Sequence, residues 1–304
     1  MNFAVLICTY NKPATLNRLL QSFSDSILLP DKTLIVSAGN KTNLDIDNYK
    51  FNIEIIHSEI ANQSYQKQIG IKSLIDNFSH IVFLDDDVLV TKNTFAEIRN
   101  TFKTLESNYL GIALNLEVQK IKYSFLENIF RKIFILNEYP FGKVLINGHI
   151  TPYLESKYSI NTEWANGISA WRNEALKHYG HNKIPIGYSA YEDVIFSYKV
   201  SRIGKIIFIP SIKVMSQELA GTKRLTSTQF FYATLWRLFF VKQNKLNFPL
   251  MLYSHLARTF EFIFKGDSLM SIIQRLFFGT KLLLSLPYYA ISSKSLDKKL
   301  FLSQ

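Results

Sequence analysis

Ile81-Val82-Phe83-Leu84-Asp85-Asp86-Asp87 decides the reading of this chain. Four apolar residues without polar alternation read as a strand buried on both faces. Three adjacent carboxylates cannot stay in a core unpaired, so they mark the strand's end. In an open α/β sheet, ligands bind at the carboxyl ends of strands. Carboxylates fixed there suit a hard divalent cation, which takes oxygen ligands and often bridges to a substrate phosphate. The plainer alternative is an acidic turn capping the helix that starts near Thr94.

Outward from the triplet, strands and helices alternate. Phe3 to Thr9 reads as the first strand and Tyr10-Asn11-Lys12 as its turn. Pro13 stands at the first helical position, and Leu16, Leu19, Leu20 and Phe23 follow at helical spacing. Thr33 to Val36 and Ile53 to Ile56 are further strands. Gln63 to Phe78 predicts a helix with Ile69, Leu74 and Ile75 on one side, Thr94 to Leu105 another helix, and Leu110 to Leu116 a strand. This alternation predicts an α/β domain with a mainly parallel, doubly wound sheet. No G-x-G-x-x-G follows the first strand and no phosphate-binding G-x-x-x-x-G-K-[ST] occurs, which argues against a dinucleotide dehydrogenase or a P-loop enzyme.

Residues 117 to 162 carry a weak pattern and read as a variable insertion. In Glu163 to Arg172, Gly167 between Trp164 and Trp171 points to a backbone passing close to something. The two indoles are either core or stacking platforms for a sugar ring. After the loop from Pro185 to Ala190, Glu192-Asp193 open a helix whose apolar positions are Ile195, Phe196, Val200 and Ile203. Gly204 ends that helix, and Lys205 to Pro210 is a closing strand. Acids in a first turn are either complements to the helix dipole or a carboxylate placed as a general base.

Of 304 residues, 47% are hydrophobic, enough for a substantial core with an appendage or for two small domains. The single Cys8 lies in an apolar run and allows no disulfide framework. The N-terminal residues lack a basic region and a cleavage site, so they read as a strand rather than a signal peptide. Residues 217 to 304 hold twelve Lys and Arg against four Asp and Glu, a net +8 of the chain's +11. Their apolar runs, such as Leu235 to Phe240, are interrupted by Arg237, Lys242, Lys245, Arg258, Lys265, Arg275 and Lys281. Leu276 to Ile291 is too short to span a bilayer comfortably and contains Lys281 and Pro287. Basic amphipathic helices on an anionic membrane fit this region, and a helical subdomain packed on the core or on a second subunit is the alternative. No nucleic-acid motif accompanies the charge.

Taken in order, five segments resemble the inverting glycosyltransferases of family 2, with the GT-A fold, over roughly residues 1–215. They are Cys8-Thr9-Tyr10-Asn11, Phe83 to Asp87, Gly167 to Arg172, Glu192-Asp193 with Arg202-Ile203-Gly204-Lys205, and Gln66-Lys67-Gln68-Ile69-Gly70. The resemblance implies a catalytic domain over 1–216, divided at 115/116 into nucleotide-sugar and acceptor halves, and a helical tail over 217–304. It implies a nucleotide-sugar site of Thr9, Tyr10, Asn11, Ser37, Lys67, Asp85 and Asp86. Asp87 and Asp85 would hold Mg²⁺ or Mn²⁺, Asp193 would be the base with Glu192 beside it, and Trp164, Gly167 and Trp171 would face sugar or acceptor. The implied work is surface-polysaccharide synthesis from a UDP- or dTDP-sugar onto a glycan or lipid-linked acceptor, at the cytoplasmic membrane face. Homo-oligomerisation is left open. Departures are Ser37 where an Asp usually reads the base, Lys67 in place of Arg, and Val214-Met215-Ser216 where a His is usual. They leave a non-catalytic sugar- or nucleotide-binding protein of the same fold as the rival. A nucleotidyltransferase fits less well, because Tyr10-Asn11-Lys12 is not a Gly-rich basic loop.

Overall fold

The computed structural model describes residues 1–40, 46–117, 123–180, 183–217, 226–260 and 269–302. Residues 118–122 of the expected insertion and Lys265 of the tail lie outside them. The strands are β1 (Phe3–Tyr10), β2 (Lys32–Ala38), β3 (Ile53–Ser58), β4 (His80–Asp85), β5 (Val88–Val90), β6 (Tyr109–Glu117), β7 (Ile160–Thr162), β8 (Ser169–Arg172) and β9 (Lys205–Ser216). The helices are α1 (Pro13–Ser24), α2 (Gln63–Leu74), α3 (Thr94–Thr104), α4 (Phe125–Ile133), α5 (Asn173–Leu176), α6 (Glu192–Ser201), α7 (Ser227–Gln243), α8 (Phe248–Phe260), α9 (Leu269–Ile291) and α10 (Ser293–Leu300).

The strands form one mixed sheet in the order β3-β2-β1-β4-β8-β6-β9-β5, with β7 also on β9. β3, β2, β1 and β4 are parallel neighbours, and β6 runs parallel to β9. β8 lies antiparallel between β4 and β6. The sequence reading did not separate this four-residue strand from the loop around it. Nor did it show β5, or the extension of the last strand to Ser216. β1 explains the layering: Phe3, Val5 and Ile7 enter the cluster with α1 and α3, whereas Ala4 and Leu6 enter the cluster with α2 and α6. A strand alternates faces, so a run apolar at every position must be covered on both.

Two helix predictions shift. α2 ends at Leu74, not Phe78, and buries Ser64, Gln66, Lys67, Gly70, Ile71 and Leu74, leaving Ile69 and Ile75 half-buried. α6 ends at Ser201, so Ile203 falls beyond it and is 57% exposed.

The tail packs against the start of α6. Leu235, Trp236, Leu238, Phe240 and Val241 of α7 share a buried cluster with Tyr191, Val194 and Ile195. A helix apolar on all sides is a buried helix. Arg237, expected to face headgroups, is instead 2% exposed and donates to the Asn147 carbonyl and to Ser254 Oγ. Lys242 likewise donates to the Ala290 carbonyl and to Ser293 Oγ. No helix among the described residues is long and apolar enough to cross a membrane.

Among the described residues three histidines are buried: His80, His149 and His255. Burial, with Arg237 and Arg258 nearby, lowers His255 to about 3. Burial and Arg172 lower His80 to about 4, and burial with Arg258, Arg237 and Arg131 holds His149 well below its usual value. The unfolded chain takes these protons below about pH 6.5, and the folded chain does not. Their contribution to stability is therefore complete above that pH and is lost as pH falls, at about 1.4 kcal/mol per unit per histidine. His255 also stacks on Phe230 at 5.6 Å. His255→Phe is expected to flatten the fall of melting temperature between neutral and acid pH. Parallel wild-type and variant curves would show that His255 carries none of it.

Candidate active site

The carboxyl ends of β1 and β4, paired through Cys8 and Asp85, open onto a cleft of about 330 Å³. Its lining includes Thr9, Tyr10, Lys12, Gln63, Gln66, Asp85, Asp86 and Asp87. The cleft begins where the sheet stops, so the acids escape the core as the sequence requires.

Each acid has its own partners. Asp85 accepts a hydrogen bond from Gln63 Nε2 at 2.8 Å. Burial raises its pKa to about 6 against the pull of Lys67, with Asp193, Asp87 and Asp86 adding to the rise. Asp86 accepts from Thr9 Oγ1 at 2.7 Å and from Lys12 Nζ at 3.2 Å. Lys12 Nζ also bridges to Asp87 at 2.8 Å. Burial opposes the charge on Lys12, but its hydrogen bond to Asp87 and the charges of Asp86 and Asp87 outweigh burial and raise its pKa.

Gly167 joins this acidic end to the second acidic segment. A Cβ on Gly167 would stand 3.0 Å from Asp85 Oδ1 and 3.5 Å from Asp193 Oδ2. Any side chain there would press between the two carboxylates, which gives the close backbone passage a physical object. Local bonds hold the passage in place: Ser197 Oγ donates to the Asp193 carbonyl and accepts the Ala165 N–H, while Tyr153 Oη accepts the Asn166 N–H.

Asp193 and Glu192 have different places. Lys67 Nζ sits 2.7 Å from Glu192 Oε1 and 2.9 Å from Asp193 Oδ1. Side chains of Lys67 and Glu192 are 3% and 5% exposed, that of Asp193 31%. Burial favours the neutral amine of Lys67, but the charges of Asp193 and Glu192 outweigh it and keep the ammonium. Burial raises the pKa of Glu192 against the opposing pull of the Lys67 ammonium. Tyr179 Oη donates to the other Glu192 oxygen. Glu192, expected beside the base, is enclosed between Lys67 and Tyr179 and can act only through them.

Other expected site residues also fall elsewhere. Lys67 does not line the cleft. Ser37 is 2% exposed, in β2 beside Thr9, and does not line it either. Asn11 takes a positive φ of 52° and accepts the Asn40 N–H, so it shapes the turn after β1. Trp171 is 1% exposed, with its indole over Gly111, where a Cβ would meet the ring at 2.3 Å; it is core and cannot stack on a sugar. Trp164 is half-buried against Tyr153 and donates from Nε1 to the Thr151 carbonyl. Lys12, Gln63 and Gln66 were not singled out as cleft residues. The signal for Lys12 was available: a lysine in the first turn after β1, on the side where the acids end.

The oxygen donors at the cleft suit a hard cation completed by phosphate oxygens. No group of three His, Cys, Asp or Glu that could hold a metal forms among the described residues, so a cation at this cleft would need ligands beyond these carboxylates.

No protein-family model matches the chain, and no curated protein matches it in sequence. Solved structures match it in fold. S. aureus TarS 1–349 in complex with UDP-GlcNAc superposes with a TM-score of 0.54 at 14% identity, covering 98% of this chain and 89% of that one. The mannosyltransferase PcManGT from Pyrobaculum calidifontis, in complex with GDP-Man and Mn²⁺, gives 0.54 at 11% identity, covering 96% and 88%. GalNAc-T7 with UDP, GalNAc and Mn²⁺ gives 0.53 at 13%, covering 96% of this chain and 57% of that one. The fold shared with these proteins is GT-A, a mixed sheet flanked by helices, as the sequence resemblance implied.

Proposed function

We propose that the chain is an inverting glycosyltransferase that moves a sugar from a nucleoside-diphosphate donor to a hydroxyl of a glycan or lipid-linked acceptor. The observation that carries this reading is the meeting of Asp85 and Asp193 at Gly167, beside an open cleft at the ends of β1 and β4. Two acidic segments more than a hundred residues apart have no structural need to converge on one glycine. Structural neighbours that hold UDP-GlcNAc, or GDP-Man with Mn²⁺, support the choice of donor class.

In this reading Thr9 and Tyr10 line the nucleotide side, and UDP- or dTDP-sugars are the preferred donors. Asp87 and Asp85 would hold Mg²⁺ or Mn²⁺, which supplies charge neutralisation at the diphosphate. Lys12 is the protein's own cation in the same place. Asp193 has one oxygen fixed by Lys67 and the other turned toward Gly167. That arrangement leaves one oxygen to take the acceptor's proton during in-line attack, which gives inversion at the anomeric carbon. Glu192 and Tyr179 position Lys67. Surface-polysaccharide synthesis at the cytoplasmic membrane face is the setting this reading favours.

Thermal shift with UDP-, dTDP- and GDP-sugars, with and without Mn²⁺, tests the donor. A ligand at a hundred times its Kd stabilises the native state by about 2.7 kcal/mol. A UDP- or dTDP-sugar is expected to raise the melting temperature, more so with Mn²⁺; no response to any nucleotide sugar would overturn the reading. Lys12→Met is expected to weaken UDP binding about tenfold, roughly 1.4 kcal/mol, by titration calorimetry at low salt. Unchanged affinity would remove Lys12 from the diphosphate site.

A further inference from the structure

Helix α4 carries its acid inward and its apolar side chains outward. Glu127 is 7% exposed, whereas Phe125, Leu126, Ile129 and Ile133 are 78%, 69%, 41% and 57% exposed. The outward residues recur three and four apart, so they form one stripe. Ser124 caps the helix by accepting the Glu127 N–H. The inward face is anchored as well: Phe134, just past the helix, stacks on Tyr253 of α8 at 4.7 Å. α4 is therefore held in place with its apolar stripe uncovered.

The exposed charge of α4 itself is basic, and Glu138, near Glu155 and Glu127, faces Arg131 of the same helix. Lys132 is exposed in the last turn of α4, between Ile129 and Ile133. α8 packs against α9, where Phe277, Leu284, Tyr288 and Ile291 are exposed and Lys281 is exposed among them. Across the described part of the tail the one acid is Asp297, and it pairs with Lys183 at 2.9 Å. A second copy of this chain would bring the same positive charge to the contact, so self-association is opposed. Anionic headgroups complement that charge, and their acyl boundary accepts the apolar stripe. At nine residues α4 is far too short to span a bilayer.

We infer that α4 is the seat of the protein on an anionic bilayer, with Phe125, Leu126, Ile129 and Ile133 entering the acyl boundary and Lys132 meeting the headgroups. This surface lies outside the basic tail, in the half assigned to the acceptor. It gives a lipid-linked acceptor a route to the cleft, and for that purpose alone it rests on the proposed function.

The test is sedimentation of the full chain with vesicles of phosphatidylcholine alone and of phosphatidylcholine mixed with phosphatidylglycerol. Wild type is expected to pellet with the anionic vesicles only. Leu126→Ser/Ile129→Ser is expected to lower the bound fraction at least tenfold with an unchanged melting temperature, since both side chains are exposed. A tail variant, Leu284→Ser/Ile291→Ser, is run beside it. Loss of binding in the tail variant alone would overturn the role of α4 and leave the membrane to the tail. Wild-type protein that stays in the supernatant would overturn it outright. So would a wild-type dimer in gel filtration that the α4 variant splits, because a second copy would then cover the stripe. Ile129→Cys offers an independent readout, because Cys8 is buried. A polarity-sensitive probe there is expected to shift to the blue with anionic vesicles, and an unshifted spectrum contradicts the seat. Vesicle binding that persists where no nucleotide raises the melting temperature would sink the donor assignment and leave α4 standing.

Discussion

Asp193→Asn is expected to lower the rate of sugar transfer by a factor of about 10²–10⁴, the range of general-base catalysis, while UDP affinity stays close to wild type. The amide keeps the size of the carboxylate and one oxygen for Lys67, but it cannot accept the acceptor's proton. Asp193 does not line the cleft that Thr9, Lys12 and Asp85 to Asp87 surround, so nucleotide binding has no reason to follow it. A drop in kcat with unchanged UDP affinity separates a base from a binding residue. Transfer at the wild-type rate would remove Asp193 from the chemistry. Lys67→Met is a useful companion. It strips the shared cation from Glu192 and Asp193, and breaking a buried ion pair on one side costs about 3–5 kcal/mol, so this variant should lose stability as well as activity.

The second large effect lies far from the acids. Trp236 is fully buried and meets Phe301 edge-on at 5.4 Å. The end of the tail around Phe301 clamps the loop before Asp193: the Ile186 N–H donates to the Leu300 carbonyl, the Leu302 N–H donates to the Ile184 carbonyl, and Pro185 bridges to Phe301. Asn62, the N-cap of α2, holds the same loop by donating to the Gly187 carbonyl and Ser189 Oγ. Trp236→Ala removes a large core side chain and should cost about 3–5 kcal/mol, lowering the melting temperature by roughly 6–15 °C. Transfer should be lost at temperatures below global melting, because the loop that leads into Asp193 loosens first. Trp236→Phe, which keeps most of the volume, is expected to recover most of both. Unchanged activity and melting in Trp236→Ala would mean the tail does not brace the loop before Asp193.

What the residues disclosed in advance follows from their environments. β1 and β4 were legible because an unbroken apolar run has one stable place, between two covering layers. The acids after Leu84 were legible as a strand end for the same reason. Lys67 and Gln66 were harder: polar residues on a helix read as its outer face. Here they turn inward, where Gln66 donates to the Thr9 and Val36 carbonyls and Lys67 meets two carboxylates. Only tertiary partners make such burial tolerable. Arg237 misled in the same way, since its backbone and hydroxyl acceptors lie on other segments. β8 was hidden because four residues show too little alternation to separate from a loop. Trp171 shows the limit of type-based inference: an indole suits a sugar and a core equally, and Gly111 decided for the core.

The most direct measurement is the structure of the protein crystallised with UDP and Mn²⁺. The account predicts the diphosphate against Asp85, Asp87 and Lys12 in the cleft at the ends of β1 and β4, with its terminal phosphate on the side of Gly167 and Asp193. A nucleotide bound elsewhere, or one whose phosphates point away from Asp193, would contradict it.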